Sequence, residues 1–268
     1  MSDTMESGAV QFTRLLRVVR ELRQRCPWDR EQTIASLGKH IVEEAYEALD
    51  AIAGTDARAI ADELGDLFSQ VLFAGVIAEE EGRFRLSEMI ELAADKLIRR
   101  HPHVYGDVEA NSAGEVVANW DRIKREERKN AGAVSALDGI ARALPALMRA
   151  EKLGSRARQA GMDWADIHDV LAKVREEMDE VEGALARNDT DAATVELGDM
   201  LLALANAPRF IGHSAEETLR RSCDKFTARF KIVERLAAAR GLELVRLSAA
   251  ELESLWQEAK RLSGPDQT

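Results

Sequence analysis

The sequence predicts an all-α protein made of two tandem copies of one helical-bundle module. Three observations carry this prediction. Ala, Leu, Glu and Arg, all good helix formers, dominate the chain, and only 5% of its 268 residues are aromatic. Apolar residues recur at helical spacing along nearly the whole length, with neither an alternating strand run nor an Asn-Gly hairpin signal. The chain also repeats itself. The tetrapeptide ELGD occurs at 63–66 and again at 196–199, EEAYE begins at Glu43 and EEMDE at Glu176, and one interval separates both pairs.

In chain order, helices are expected over about 9–25, 31–53, 57–81, 87–100 and 114–129, then over 136–158, 166–187, 190–211, 214–240 and 248–262. The breaks carry Pro, Gly or Asp, as in CPWD (26–29), HPHVYGD (101–107) and GMDW (161–164). Within 31–53, Ile41, Ala45, Ala48, Leu49 and Ile52 form a stripe expected to face the core. RKNAGAVSA (128–136) is the most linker-like segment and divides a module at 9–130 from one at 136–264. Pro208 should bend or end its helix nearby. LELVRL (242–247) is the best strand candidate and is read as a connector; the tail SGPDQT is expected to fray. Further echoes follow the repeat. DKLIRR, with Lys96 and Arg100, matches DKFTAR, with Lys225 and Arg229, and Trp120/Lys124 matches Trp256/Lys260.

Composition narrows the function. At 46% hydrophobic and 32% charged the chain is globular in character, and its net charge of −11 disfavours a nucleic acid polymer or an anionic membrane as partner. FSQVLFAGVIA is too short for a membrane span, and MSDTMESGAV has no signal-peptide core. Cys26 and Cys223 show no metal-type spacing and suit a reducing compartment, so a cytoplasmic protein is expected.

The acids need an explanation. Each helical residue turns by about 100°, so Glu43, Glu44 and Glu47 fall within one arc, and Glu63 and Asp66 lie about 60° apart. Lying opposite the apolar stripe, the glutamates of the first helix also fit an ordinary solvated face. The second cluster is harder to dismiss: between Leu64 and Ala78 the polar side chains are Asp66, Ser69 and Gln70, and between Leu197 and Pro208 they are Asp199 and Asn206. A helix apolar nearly all round is expected to be buried, and buried carboxylates need a partner. Glu196, Asp199 and Asn206 share one stripe, and oxygen ligands without Cys or His favour Mg²⁺ or Mn²⁺. The competing reading is a buried ion pair to Lys or Arg. Lys225 with Arg229, and Lys96 with Arg100, suit either ordinary surface charge or the grip of phosphate oxygens. Trp256 suits either a core anchor or a stack on a base.

EExxE followed by ExxD on two helices resembles the signature of the all-α nucleoside triphosphate pyrophosphohydrolases. CPWDREQT (26–33), KLIRRHPHVYGD (96–107), LPALMRAEKLGSRA (144–157) and DKFTARF (224–230) are similar to segments of the MazG family, and the likeness extends over about 10–262. It implies Mg²⁺-dependent hydrolysis of a nucleoside triphosphate to monophosphate and pyrophosphate by a helical homodimer. Carried over residue by residue, it implies Glu44, Glu47, Glu63 and Asp66 as metal ligands in the first module, and Glu177, Glu180, Glu196 and Asp199 in the second. Glu43 and Glu176 would ligate a second ion or orient the attacking water. Lys225 and Arg229 would bind phosphates, and Trp256 with Lys260 would close over the nucleotide.

The counterpart of Asn206 in the first copy is Phe73, so only the second has a polar residue at that stripe position, which favours the second module as the better catalyst. Cys223, where the family has Asn, and Pro208 count against it. The five histidines share no spacing, and Cys26 reads as a small packed hydrophobe. A di-iron carboxylate bundle would need Glu-x-x-His pairs, but the residues three after Glu44, Glu47, Glu177 and Glu180 are Glu47, Asp50, Glu180 and Gly183. A non-catalytic nucleotide-binding regulator is the other alternative, and two complete acid sets argue against it.

Overall fold

The computed structural model describes residues 2–264, and among them all regular structure is helical. The chain forms two compact units, Met1–Glu127 and Arg128–Thr268. Most of the tail expected to fray lies outside the described residues.

The first unit opens with α1 (Ser2–Arg25) and the short α2 (Pro27–Glu31). A hairpin follows, α3 (Ile34–Ala53) and α4 (Ala57–Glu80). Thr33 and Ser36 exchange backbone and side-chain bonds in a capping box at the start of α3, and Asp56 accepts from the Arg58 amide at the start of α4. Then come α5 (Leu86–Arg100), α6 (Pro102–Tyr105) and α7 (Ala113–Asn130). The core joins Val19 of α1, Leu72 and Val76 of α4 and Leu86 of α5, flanked by Phe12, Leu15, Leu16, Phe73 and Met89. Each such aliphatic side chain contributes about 1.5–3 kcal/mol on burial. Gly75 admits α5 to this core, because a Cβ there would meet Leu86 Cδ1 at 2.5 Å.

The second unit contains α8 (Ala146–Gln159), the hairpin of α9 (Ile167–Ala186) and α10 (Thr190–Leu204), then α11 (Ala215–Ala239) and α12 (Ala249–Leu262). Asp166, Asp189, Ser214 and Ser248 cap the last four of these. Val233 and Ala237 of α11 meet Leu255 and Ala259 of α12, and Ala150, Ala205 and Ala215 close the junction of α8, the end of α10 and α11.

Several boundaries differ from expectation for local reasons. The segment expected to be helical from 136 stays non-helical as far as Pro145, because Gly139 takes φ 77° and Pro145 cannot sit inside a helix. The helix expected over 190–211 ends at Leu204, since the ring of Pro208 would clash with the Leu204 carbonyl; Pro208 instead starts a 3₁₀ turn, Pro208–Ile211. CPWD and HPHV each contain a short helix with Pro in its first turn. LELVRL holds a 3₁₀ turn, Leu244–Arg246, and is a connector.

One expectation about burial fails. Leu49 and Ile52, placed in the core stripe, are 51% and 52% exposed, and Leu64, Phe68, Leu197 and Leu201 are exposed as well. The reason lies in the packing. The α3–α4 and α9–α10 pairs meet chiefly along one face of each helix, and α4 enters the core only in its second half, at Leu72 and from Gly75 to Ala78.

Candidate active site

Each hairpin brings three carboxylates together. Oxygens of Glu44, Glu63 and Asp66 lie within 4.8 Å of one another, and those of Glu177, Glu196 and Asp199 do the same. The first acid of each group comes from the first helix of its hairpin. The other two come from the second helix, one turn apart, as the ExxD spacing requires.

Burial falls elsewhere than the apolar runs suggested. Asp66 and Asp199 are exposed, and Glu44, Glu63 and Glu196 are half-buried. Glu177, the counterpart of Glu44 in the repeat, is only 4% exposed. Its Oε2 is buried without a hydrogen-bond partner, while its other oxygen lies 2.6 Å from Lys173 Nζ. That ammonium holds the Glu177 carboxyl below the usual range, and Glu176, followed by Glu177, in turn raises the Lys173 ammonium.

The remaining acids repel one another. Burial raises the Glu44 carboxyl, with Glu47, Asp66, Glu63 and Glu43 adding to it. Burial likewise raises Glu63, helped by Glu47 and Asp66, and raises Glu196, helped by Glu180, Glu177 and Asp199. Glu47 and Glu180 therefore sit within electrostatic reach of the two triplets. Glu43 and Glu176 lie at the rim, Glu43 paired with His40 Nδ1 at 3.1 Å and Glu176 with Lys173 Nζ at 2.7 Å. An open cavity of about 450 Å³ beside the second triplet is lined by Glu176, Asp179, Glu180, Gly183, Arg187 and Glu196.

Lys173 thus pairs with the buried Glu177 and the exposed Glu176, whereas the acids for which a buried ion pair is the competing reading have no such partner among the described residues. Among the described residues, no ammonium or guanidinium lies at ion-pair distance from Glu44, Glu63, Asp66, Glu196 or Asp199. Hard oxygen donors, no Cys or His in either triplet and one buried oxygen without a partner suit a divalent cation of the Mg²⁺ class.

The expected phosphate-binding residues are placed on other helices. Lys225 and Arg229 of α11 line a cavity of about 940 Å³ with Lys231, Arg235, Ser263 and Gly264, and Arg229 Nε donates to Ser263 Oγ at 3.2 Å. In the first unit Lys96 is exposed, while Arg100 is bound to Glu127 at 2.6 Å. Trp256 is half-buried, packed on the Val233 and Leu255 cluster and 5.3 Å from the Phe226 ring, with Lys260 Nζ 6.0 Å from its centroid. Its counterpart Trp120 carries Lys124 at 3.7 Å. The principal packing of α11 is on α12 and α8, and that of α9 is on α10, so the cations and the second acid triplet occupy separate helix pairs.

Asn206 is not on the acidic stripe. It lies past the end of α10, 3% exposed, with Nδ2 donating to the Leu202 carbonyl and Oδ1 over Gly154 of α8. Sequence reasoning missed Lys173 and Arg187. Lys173 had a signal, standing four residues before Glu177, but that spacing is common on solvated helices.

Several known proteins are similar to this chain. The profile of the MazG nucleotide pyrophosphohydrolase domain matches residues 32–105 and 166–233, so each match spans one hairpin. The nucleoside triphosphate pyrophosphohydrolase of Escherichia coli K12 is 45% identical over 256 residues, covering 94% of this chain and 97% of that protein. The nucleoside triphosphate pyrophosphohydrolase/pyrophosphatase MazG of Thermotoga maritima is 36% identical, covering 98% and 100%. The crystal structure of a mazG-related protein from Thermotoga maritima aligns with 42% of this chain and 98% of its own, at 24% identity and a TM-score of 0.38.

Proposed function

We propose that this chain, which belongs to the MazG nucleotide pyrophosphohydrolase family, acts as a nucleoside triphosphate pyrophosphohydrolase whose carboxylate triplets hold Mg²⁺, or Mn²⁺, against the triphosphate while water attacks the α-phosphorus. The products are a nucleoside monophosphate and pyrophosphate. The observation that carries this reading is the buried, unpartnered Glu177 oxygen inside a triplet of carboxylates. A buried carboxylate oxygen without a partner is unfavourable even when the other oxygen is paired, and a dication would supply that partner.

Glu177, Glu196 and Asp199, with Glu180 beside them, would hold the ion in the second module; Glu44, Glu63 and Asp66, with Glu47, would do so in the first. When bound, the ion supplies neutralisation of the tetra-anionic triphosphate and acidification of water. Glu176 and Glu43, at the rims, either orient the attacking water or add a ligand to a second ion. Lys225, Arg229 and Lys260 hold phosphate oxygens, and Trp256 lies against the base. The second module is the better catalyst in this reading. Its Arg229 has no carboxylate partner among the described residues, whereas Arg100 is held by Glu127.

The large apolar side chains that both hairpins leave exposed support a homodimer, in which a second copy would cover them. Among the described residues no helix is long and apolar enough to cross a membrane.

The test is pyrophosphate release from each of the eight common NTPs and dNTPs with Mg²⁺. Glu196→Gln and Asp199→Asn should lower turnover on the order of a hundredfold or more, as expected when an electrostatic element of the site is removed. Glu63→Gln should lower it less. Wild-type turnover in Glu196→Gln would exclude the second module as the site.

A further inference from the structure

The two acidic triplets differ in what stands one turn before them. On α9, Lys173 lies four residues ahead of Glu177 and places Nζ 2.6 Å from it and 2.7 Å from Glu176. The register of the repeat puts His40 in the corresponding place on α3, four residues ahead of Glu44. His40 pairs with Glu43, and among the described residues no cation reaches Glu44.

A dication approaching the second triplet therefore meets a resident positive charge. The ammonium engages one oxygen of Glu177 at 2.6 Å and opposes the approach of an incoming ion. A phosphate-bearing ligand changes this balance, because its several negative charges compete with a single carboxylate for the ammonium. Lys173 can respond. Its side chain is 39% exposed and its four-carbon stem is flexible.

We propose that Lys173 is a positioning residue that makes divalent-ion binding in the second module conditional on a phosphate-bearing ligand, whereas the first module, with His40 in that place, takes a bare divalent ion. The inference rests on the carboxylates being the metal ligands. It predicts ordered filling of the second site and a standing ion in the first.

Mn²⁺ titration of the full chain, followed by the electron paramagnetic resonance of free Mn²⁺, tests it without turnover. The paired change Glu63→Gln with Asp66→Asn leaves only the second triplet, and Glu196→Gln with Asp199→Asn leaves only the first. Without nucleotide, the second triplet should bind Mn²⁺ at least about tenfold more weakly than the first, given one opposing charge a few ångströms away. A non-hydrolysable triphosphate should restore its affinity. Adding Lys173→Met to the second-triplet protein should raise nucleotide-free affinity by a similar factor, and Lys173→Arg should not. Equal affinity of the two triplets, or no gain from Lys173→Met, overturns the proposal while leaving the metal reading intact. No Mn²⁺ binding by either triplet, even with the triphosphate, overturns both.

Discussion

At Glu177 burial, a neighbouring ammonium and two further carboxylates meet in one side chain, and the balance differs from that at its counterpart, Glu44. Lys173 draws the Glu177 carboxyl down, whereas Glu44, without a cation, is drawn up by burial and by its acidic neighbours. The same holds for Glu63, where burial leads and Glu47 and Asp66 follow. A carboxyl raised in the folded state contributes stability below its ordinary pKa, and that contribution is lost as pH rises through the raised value. In a divalent-free buffer, Glu63→Gln should therefore melt higher than wild type at neutral pH. The difference should shrink as pH falls through the raised value to the ordinary carboxylate range. A Tm series across that range measures it; a difference constant with pH would show that Glu63 titrates as in the unfolded chain. These acids were legible in the sequence because two spacings repeat. Lys173 was not, because a lysine one turn ahead of a glutamate occurs on many solvated helices and gains meaning only once that glutamate is buried.

Among the elements, the α9–α10 hairpin shows how local chemistry sets the limits of a helix. Asp189 starts α10, and Pro208, unable to follow Leu204 in a continuous helix, forces its end. The turn after Leu204 buries Asn206 against α8, where Gly154 leaves room for its carboxamide. A Cβ at Gly154 would lie 1.9 Å from Asn206 Oδ1 and 2.9 Å from its Cγ. Gly154→Ala gains about 1 kcal/mol of helix propensity. Overpacking costs about 1–3 kcal/mol, and the displaced amide also loses its bond to the Leu202 carbonyl. The net result should be a lower Tm, measured by thermal or urea unfolding, and the additional change Asn206→Ala should recover part of it. Helix existence was readable from periodicity throughout this unit. The stripe assigned to Asn206 was not, because it assumed that the helix runs on past Leu204.

For the whole molecule, the repeat is the organising fact. Each unit carries one acidic hairpin, and each hairpin leaves large apolar side chains in solvent, among them Leu49, Ile52 and Phe68 in the first and Leu197, Leu201 and Leu204 in the second. A second copy covering them, as in the proposed homodimer, would account for helices that read as buried being half bare within one chain. Leu201→Glu, which places a charge on that face, should convert a dimer to a lower-mass species in sedimentation or light scattering while the helical circular dichroism remains. An unchanged mass would place the interface elsewhere.

The sequence by itself determined the helical class, the duplication and the identity of the clustered acids. Those follow from side-chain spacing along a helix, a property of adjacent residues. The tertiary structure alone decided that Glu177 rather than Asp199 is the buried carboxylate, that Lys173 rests on it while His40 turns to Glu43, and that Asn206 serves a helix junction. Burial and pairing depend on which helix faces meet, and that is fixed by contacts between residues far apart in the chain.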